Sequence, residues 1–133
     1  MKNKDLKKRI LDISFKNKLS HIGSCLTAVD IIDEIYSKRD ENDPFILSSG
    51  HAGLALYVVL EKYLKVNAEE LFNKHGVHPN TNFLHRIWAS SGSLGHGLGI
   101  AIGFALSDRK RKVDCLISDG ECSEGSIFEA FRI

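Results

Sequence analysis

Apolar residues in the first third of the chain recur at helical spacing. Four of them lie behind a lysine-rich face: Leu6, Ile10, Leu11 and Ile13. Because residues three or four positions apart share one side of a helix, this segment is predicted to be an amphipathic helix. The small-residue run Ser20–Ser24 is predicted to end it, and a second helix is predicted through Val29, Ile32 and Tyr36.

Two short apolar runs further along the chain indicate strands. Phe45–Leu47 follows Pro44, and Val113–Ser118 forms the second run. Helices are predicted at Leu54–Leu64 and Gly95–Leu106, and a last one is predicted to begin near Ser123 or Glu124. Residues Asn67–Glu70 have the character of a capping box, with Asn67 predicted to accept from the helix start as its N-cap and Glu70 to reach back. The residues from His75 to Ser93 are predicted to form a polar loop.

Strands that alternate with helices predict an α/β fold with a parallel sheet, and ligands of such sheets bind beyond the carboxyl ends of the strands. The polar turns Ser49–His51 and Asp119–Glu121 both fall at such ends. This placement points to a functional site, although a turn is needed at a strand end in any case.

The first of the chemically suggestive turns is Asp119-Gly120. A carboxylate there would suit a magnesium ion that holds a phosphate, and glycine would let the backbone approach the anion. The alternative is an ordinary turn and helix cap, since Asp-Gly is a common turn dipeptide. This motif alone does not decide between the two.

A second glycine-rich turn, Ser91–Gly97, precedes a predicted helix. It could surround a cofactor with backbone groups, but it lacks the lysine of a P-loop and follows no strand. Close packing between helices would also explain its glycines.

The histidines are the other candidates for chemistry. Three of the six are candidates, His21, His51 and His78, because each lies beside or near glycine or proline rather than on a charged helical face. The others, His75, His85 and His96, are left without an assigned role. Histidine can bind phosphates or hydroxyls and transfer protons near neutral pH, although a lone histidine is often structural or merely exposed. Their spacing matches no zinc-hydrolase pattern, and there is no GxSxG motif, so nucleophilic catalysis by a side chain is not indicated.

Composition narrows the class of protein without identifying it. The 133 residues are 43% hydrophobic and 26% charged, with a net charge of +1. This balance predicts a globular domain and gives no reason to expect nucleic acid or a membrane surface as a partner. Three cysteines without a CxxC pair make a disulfide framework or zinc site improbable and favour a cytoplasmic protein. The charged N-terminus is not followed by a long apolar run, which argues against a signal peptide or transmembrane helix.

Read in order, five motifs resemble those of transketolases over nearly the whole chain. They are Ser20-His-Ile-Gly-Ser24, Phe45-Ile-Leu-Ser-Ser-Gly-His-Ala52, Gly76-Val-His-Pro79, Ser91-Gly-Ser-Leu-Gly-His-Gly97 and Ser118-Asp-Gly-Glu-Cys-Ser-Glu-Gly125. Five motifs in the family's order are far more specific than any one of them. The resemblance implies a thiamine-diphosphate-binding fold with an incomplete parallel sheet and flanking helices, and residues 1–133 are interpreted as part of the N-terminal diphosphate-binding domain.

The resemblance also implies roles for individual residues. Five match positions that hold thiamine diphosphate: His51, Gly92, Ser93, Leu94 and Gly120. Asp119 matches a ligand of Mg²⁺. The histidines His21 and His78 match residues that contact the sugar substrate, and His51 also lies near the reacting centre. Glu124 and Glu129 match acids that link the paired active sites of the family's dimer. The activity implied is transfer of two-carbon ketol units between sugar phosphates.

The sequence departs from the family pattern at a few points. Ser118 replaces the first glycine of Gly-Asp-Gly, and Val77 is an apparent insertion in a Gly-His-Pro loop. The family's second magnesium ligand, an asparagine, and the domain that binds the pyrimidine ring fall outside the 133 residues. We therefore expect the chain alone to be inactive and prone to association, and a C-terminal transketolase portion or subunit to complete it, with a dimer as the finished assembly.

Other interpretations remain open at this point. Within the same chemistry, part of a deoxyxylulose-phosphate synthase is the nearest alternative. A non-catalytic remnant that only binds a partner subunit is an alternative from another class. A free-standing nucleotide-binding module is disfavoured by the absence of its fingerprints.

Overall fold

The fold was analysed in a computed structural model that describes residues 3–133. The chain divides into two compact units. The first unit runs through Arg39 and resumes over His51–Val77, and the second comprises Asp40–Gly50 and His78–Ile133.

The first unit is made of helices. Their bounds are α1 Lys4–Asn17, α2 Ile22–Lys38, α3 Gly53–Leu64 and α4 Ala68–His75. Helix α3 packs against the other three, and every residue from Gly53 to Leu60 is buried. This burial agrees with its almost uniformly apolar sequence. The predicted N-cap is confirmed, because the Asn67 side chain accepts hydrogen bonds from the N–H groups of Glu69 and Glu70.

Two details of the first unit differ from the sequence-based expectation. Leu11 was grouped with the buried face of α1, but it is 47% exposed, whereas Ile10 and Ile13 are buried. Consecutive residues of a helix point about 100° apart, so Leu11 falls outside the stripe that Ile10 and Ile13 define. The break after α1 also lies earlier than predicted: Lys18 adopts a left-handed conformation, and α2 begins at Ile22.

The second unit contains the sheet. Strands β1, Phe45–Leu47, and β2, Asp114–Leu116, pair in parallel, with Phe45 opposite Asp114 and Leu47 opposite Leu116. Helix α5, His96–Ser107, packs on both strands, and α6, Gly125–Ala130, packs on α5. The expected α/β class with a parallel sheet is confirmed.

The second strand is shorter than the sequence suggested, whereas the last helix begins at Gly125, next to its predicted start near Ser123 or Glu124. Asp114–Leu116 pairs, whereas Val113–Ser118 was predicted, because β1 offers only three residues for pairing before its own turn. A four-residue 3-10 turn, Gly120–Ser123, precedes α6, so no α-helix starts directly after Asp119. The predicted loop from His75 to Ser93 holds another 3-10 turn, Phe83–His85.

None of the helices among residues 3–133 combines the length and the apolar character that crossing a membrane requires.

Candidate functional site

The carboxyl ends of β1 and β2 lie side by side in the second unit. The N–H of Ser48, the first residue after β1, donates to the carbonyl of Leu116 at the end of β2, at 2.9 Å. The polar residues that follow each strand therefore leave the sheet at the same edge. This confirms the prediction that both turns lie where parallel α/β sheets bind ligands.

The side chain of Glu121 joins three turns at this edge. Its Oε1 accepts hydrogen bonds from the Ser48 hydroxyl, at 2.5 Å, and from the Gly95 N–H, at 2.9 Å. Its Oε2 accepts from the Ser118 N–H, at 2.8 Å, and from the Ser118 hydroxyl, at 3.2 Å. One carboxylate thus ties the turn after β1, the glycine-rich turn and the turn after β2.

The turn after β1 also packs tightly on the glycine-rich turn. A Cβ atom on Gly50 would lie 2.6 Å from the Gly92 nitrogen and 2.7 Å from the Ser91 carbonyl carbon. No side chain can occupy that position without displacing backbone. Glycine is therefore required at position 50, because the two turns approach each other closely there. This packing explains the glycine of the Ser-Ser-Gly-His sequence.

Several exposed residues at this edge have backbone N–H groups that are not hydrogen-bonded inside the protein. Within residues 3–133, those of Gly92, Ser93, Leu94 and Gly120 make no hydrogen bond to another part of the chain. By contrast, the His96 N–H donates a hydrogen bond to the Ser93 carbonyl, and the Gly97 N–H donates one to the Ser48 hydroxyl. A row of free N–H groups on ordered turns suits an anion such as a diphosphate.

Asp119 lies at the end of the turn after β2. Its carboxylate is exposed and caps no N–H of the following 3-10 turn. The carboxylate could bind a Mg²⁺ ion while nearby N–H groups bind a phosphate. This combination is expected where one side chain and phosphate oxygens share a Mg²⁺ ion. No group of three or more His, Cys, Asp or Glu side chains converges in the described part of the chain.

His78 lies against the glycine-rich turn. A Cβ atom on Gly92 would be 3.1 Å from its Cγ and 3.3 Å from its Cδ2. The structure thus brings this predicted substrate-contacting histidine to one of the predicted cofactor-binding residues. The apparent insertion of Val77 does not prevent this contact.

The other two candidate histidines meet in the first unit. The ring centroids of His21 and His51 are 5.4 Å apart, with the ring planes inclined by 48°. His21 precedes α2 in a left-handed conformation, with φ of 60°, which is unusual for a residue other than glycine. The backbone carbonyl of His51 accepts a weak hydrogen bond from the Cys25 thiol, at 3.9 Å. These contacts make the pair an ordered part of the first unit.

The two predicted interface acids are exposed. Glu124 immediately precedes α6 and Glu129 lies within it. Among the described residues, neither side chain forms a hydrogen bond or salt bridge with the other or with a third residue. Both are available to groups outside the chain.

The residue that sequence reasoning missed is Glu121. The sequence places it in a polar turn and predicts no role for it, yet its side chain is fully buried, at 0% exposure. A glutamate that follows Asp-Gly in a turn gives no local signal of burial, because its partners Ser48 and Gly95 are distant in sequence. Its charge also affects a neighbour: burial and, to a lesser extent, Glu121 raise the pKa of the Cys115 thiol to about 12.

Comparison with known proteins identifies the family. The family model described as "Transketolase, thiamine diphosphate binding domain" matches residues 8–129. The chain therefore belongs to the transketolase family, and it corresponds to the thiamine diphosphate binding domain.

The similar proteins are longer than this chain. An apulose-4-phosphate transketolase subunit of Phocaeicola vulgatus is 32% identical over an alignment that covers 93% of this chain and 51% of that protein. Transketolase-like protein 2 of Homo sapiens is 35% identical, with 83% of this chain and 21% of that protein covered. The transketolase of Homo sapiens is 34% identical with the same coverage. The chain thus spans about half of the first relative and about a fifth of the other two.

Proposed function

We propose that this chain is the diphosphate-binding part of a transketolase-like transferase that moves two-carbon ketol units between sugar phosphates. Thiamine diphosphate and Mg²⁺ are its proposed cofactors. Residues 1–133 would form part of the N-terminal domain of the complete enzyme, and the cytoplasm is its proposed location, in keeping with three free cysteines.

One observation carries the proposal. The free N–H groups of Gly92, Ser93, Leu94 and Gly120 lie on turns that Glu121 holds at one edge of the sheet, and the free carboxylate of Asp119 lies in the same segment. Backbone N–H groups and one carboxylate are what a diphosphate and its Mg²⁺ ion require.

Thiamine diphosphate, when bound, would supply the nucleophilic carbon for ketol transfer, and the protein would contribute binding, orientation and proton transfer. The proposed cofactor-binding residues are His51, Gly92, Ser93, Leu94 and Gly120, with Asp119 as a metal ligand. The histidines His21, His51 and His78 are proposed to bind the sugar phosphate and to exchange protons with its hydroxyls. Glu124 and Glu129 are proposed to meet a second subunit, where coupled carboxylates would share protons.

We further propose that a second polypeptide portion completes the active site. The Phocaeicola vulgatus relative, which this chain matches over half its length, is named as one subunit of a transketolase, and this supports an enzyme divided between chains. The exposure of Glu124 and Glu129 leaves them available for such a partner. A non-catalytic remnant that only binds a partner subunit is the alternative, and it would assemble with the completing portion without gaining cofactor binding.

The single tryptophan offers a direct test of cofactor binding. Trp88 lies in the chain segment just before the glycine-rich turn and contacts Phe83 and Phe104 edge-on, with each ring centroid 5.8 Å away. Titration of the full chain with thiamine diphosphate should change its fluorescence in a saturable way, and only when Mg²⁺ is present. Asp119→Asn should weaken the binding by about tenfold or more, because the neutral amide is a poorer Mg²⁺ ligand. Asp108→Asn, at an exposed turn of the same unit, should bind as the wild type does.

The outcomes separate the possibilities. A metal-dependent, saturable signal that Asp119→Asn weakens would support the proposal. If the wild type gives no signal with both cofactors present, and still gives none after the completing portion is added, the proposed cofactor site is wrong for this chain. Ketol transfer by the pure chain, assayed with thiamine diphosphate and Mg²⁺, would contradict the proposed need for a completing portion.

A further inference from the structure

Glu121 is a buried carboxylate without a cationic partner. No salt bridge within residues 3–133 involves it, and its side chain has 0% exposure. Burial of an ionised carboxylate is costly unless hydrogen bonds replace its hydration. Four donors do so here: the hydroxyls of Ser48 and Ser118 and the N–H groups of Gly95 and Ser118.

Glutamate is the residue type that suits this position, because all four partners donate hydrogen bonds to the side chain of Glu121. An ionised carboxylate only accepts hydrogen bonds and has about four lone-pair positions, so it can satisfy this set. A glutamine would replace one oxygen by an NH2 group, which cannot accept a bond from a backbone N–H. The arrangement therefore selects glutamate over its closest isostere.

The bonds reach beyond Glu121 through Ser48. The Ser48 hydroxyl donates to Glu121 and accepts from the Gly97 N–H, at 3.0 Å. Both ends of the segment from Gly95 to Gly97 are thus fixed by the same carboxylate, directly at Gly95 and through Ser48 at Gly97. The N–H groups just before this segment, in Gly92 to Leu94, stay free.

We propose that Glu121 is a positioning residue of the diphosphate site, which holds the glycine-rich turn in the conformation that leaves its N–H groups free for the anion. The nature of the ligand rests on the function proposed above, whereas the positioning itself does not. Hydrogen bonds to a charged acceptor are stronger than those between neutral groups, so one carboxylate suffices to order three turns.

Amide hydrogen exchange of the full chain, resolved by residue with NMR, tests the positioning role. In Glu121→Ala, exchange at Gly95 and Ser118 should accelerate by about tenfold to a hundredfold, as expected for loss of a bond to a charged acceptor. In Ser48→Ala, the acceleration should be confined to Gly97. A merely destabilised second unit would instead show faster exchange at all of that unit's slowest amides, including those of α5.

Ser126→Ala is the matched control. The Ser126 hydroxyl donates to the carbonyl of Gly95, at 3.2 Å, so its removal takes one side-chain bond from the same residue and leaves the N–H bond to Glu121. Gly95 exchange should stay at the wild-type rate. Equal acceleration in Ser126→Ala and Glu121→Ala would overturn the proposal.

Glu121→Gln covers the case in which the alanine variant does not fold. Its single carbonyl oxygen can serve Gly95 or Ser118 but not both, so one of these two amides should lose protection, by about tenfold or more, while the other keeps it. Wild-type protection at both amides would show that the carboxylate is not required and would overturn the proposal.

The consequence for the ligand is measured with inorganic pyrophosphate and Mg²⁺ as the probe. Amide shifts of Gly92, Ser93 and Leu94 in the wild type should report saturable binding, and Glu121→Gln should bind about tenfold more weakly because its turn must be ordered on binding. Unchanged affinity despite altered exchange would overturn the role of Glu121 in the site. If the wild type binds no pyrophosphate, the proposed diphosphate site fails, and the exchange pattern alone decides whether Glu121 positions the turn.

Discussion

At the scale of single residues, the site depends on contacts too close for any side chain. Gly97, in the first turn of α5, is the clearest example besides Gly50. A Cβ atom there would lie 2.5 Å from the Ser48 hydroxyl oxygen and 2.6 Å from the Ser48 Cα. The helix approaches the strand end this closely because its second residue has no side chain. The bond from the Gly97 N–H to Ser48 depends on the same approach.

We predict that Gly97→Ala lowers the free energy of unfolding by about 1–3 kcal/mol, since the methyl group must displace Ser48 or α5. Gly99→Ala is the matched control in the same helix, because nothing lies within 4 Å of its Cβ position. It should raise the free energy of unfolding by about 0.5–1 kcal/mol through the better helix propensity of alanine. Urea denaturation monitored by circular dichroism measures both, and equal effects of the two substitutions would contradict the close packing.

At the scale of elements, a single carboxylate also joins three helices of the first unit. Glu61, in α3, accepts two hydrogen bonds from the guanidinium of Arg9 in α1, at 3.0 and 3.1 Å. It also accepts one from the N–H of Ala68 at the start of α4, at 2.9 Å. Partial burial alone would raise the pKa of Glu61, but these hydrogen bonds outweigh it and hold the pKa below its ordinary value of 4.5. The stabilisation is therefore present above the ordinary pKa and is lost as the pH falls through the lower pKa of the folded state.

We predict that Arg9→Met lowers the free energy of unfolding by about 1 kcal/mol at neutral pH, the size expected of a well-formed, partly buried pair. The difference should shrink at a pH well below the lowered pKa of Glu61 in the folded wild type, where Glu61 is protonated in both proteins. Urea denaturation at the two pH values measures it. Lys8→Met is the control, since Lys8 forms no salt bridge within residues 3–133, and an equal loss in that variant would rule out a specific role for the pair.

At the scale of the whole molecule, the two units each contain one protected cysteine. Cys25, in the first unit, is 3% exposed, and its burial raises the pKa of its thiol. Cys115, in the second unit, lies in β2 with its pKa raised to about 12. The third, Cys122, is exposed. The thiols therefore report separately on the integrity of the two units.

We predict that iodoacetamide modifies Cys122 first in the native protein. The raised pKa of Cys115 lowers the fraction of its thiol that is ionised by about a thousandfold. A thiolate of higher pKa is also a stronger nucleophile, and this offsets part of the loss. Cys115 should therefore react about thirtyfold more slowly or less readily still. Cys25 should react only on unfolding because it is buried. Peptide mass spectrometry over time measures the order, with Cys122→Ser expected to remove the fast phase. Rapid native modification of Cys115 would mean that the strand opens readily in solution.

Much of the element pattern could be predicted from sequence. The strand Phe45–Leu47 and the helices α3 and α5 were predicted within one residue of their observed ends, because apolar periodicity and punctuation by glycine and proline act locally. The exposed Leu11 and the short β2 were not foreseen. Burial depends on the direction of each side chain toward distant neighbours, and strand length depends on how many residues the partner strand offers.

The sequence by itself determined the family, the order of the motifs and the identity of the candidate groups, since these are properties of residue type and spacing. Only the tertiary structure decided that Glu121, a residue whose sequence context does not indicate burial, is buried and joins three turns. It also decided that His78 lies on Gly92, and that the N–H groups of Gly92 to Leu94 stay free while those of Gly95 and Gly97 are used. The physical reason is that hydrogen-bond partners and close contacts are set by residues far apart in the chain, which no local pattern encodes.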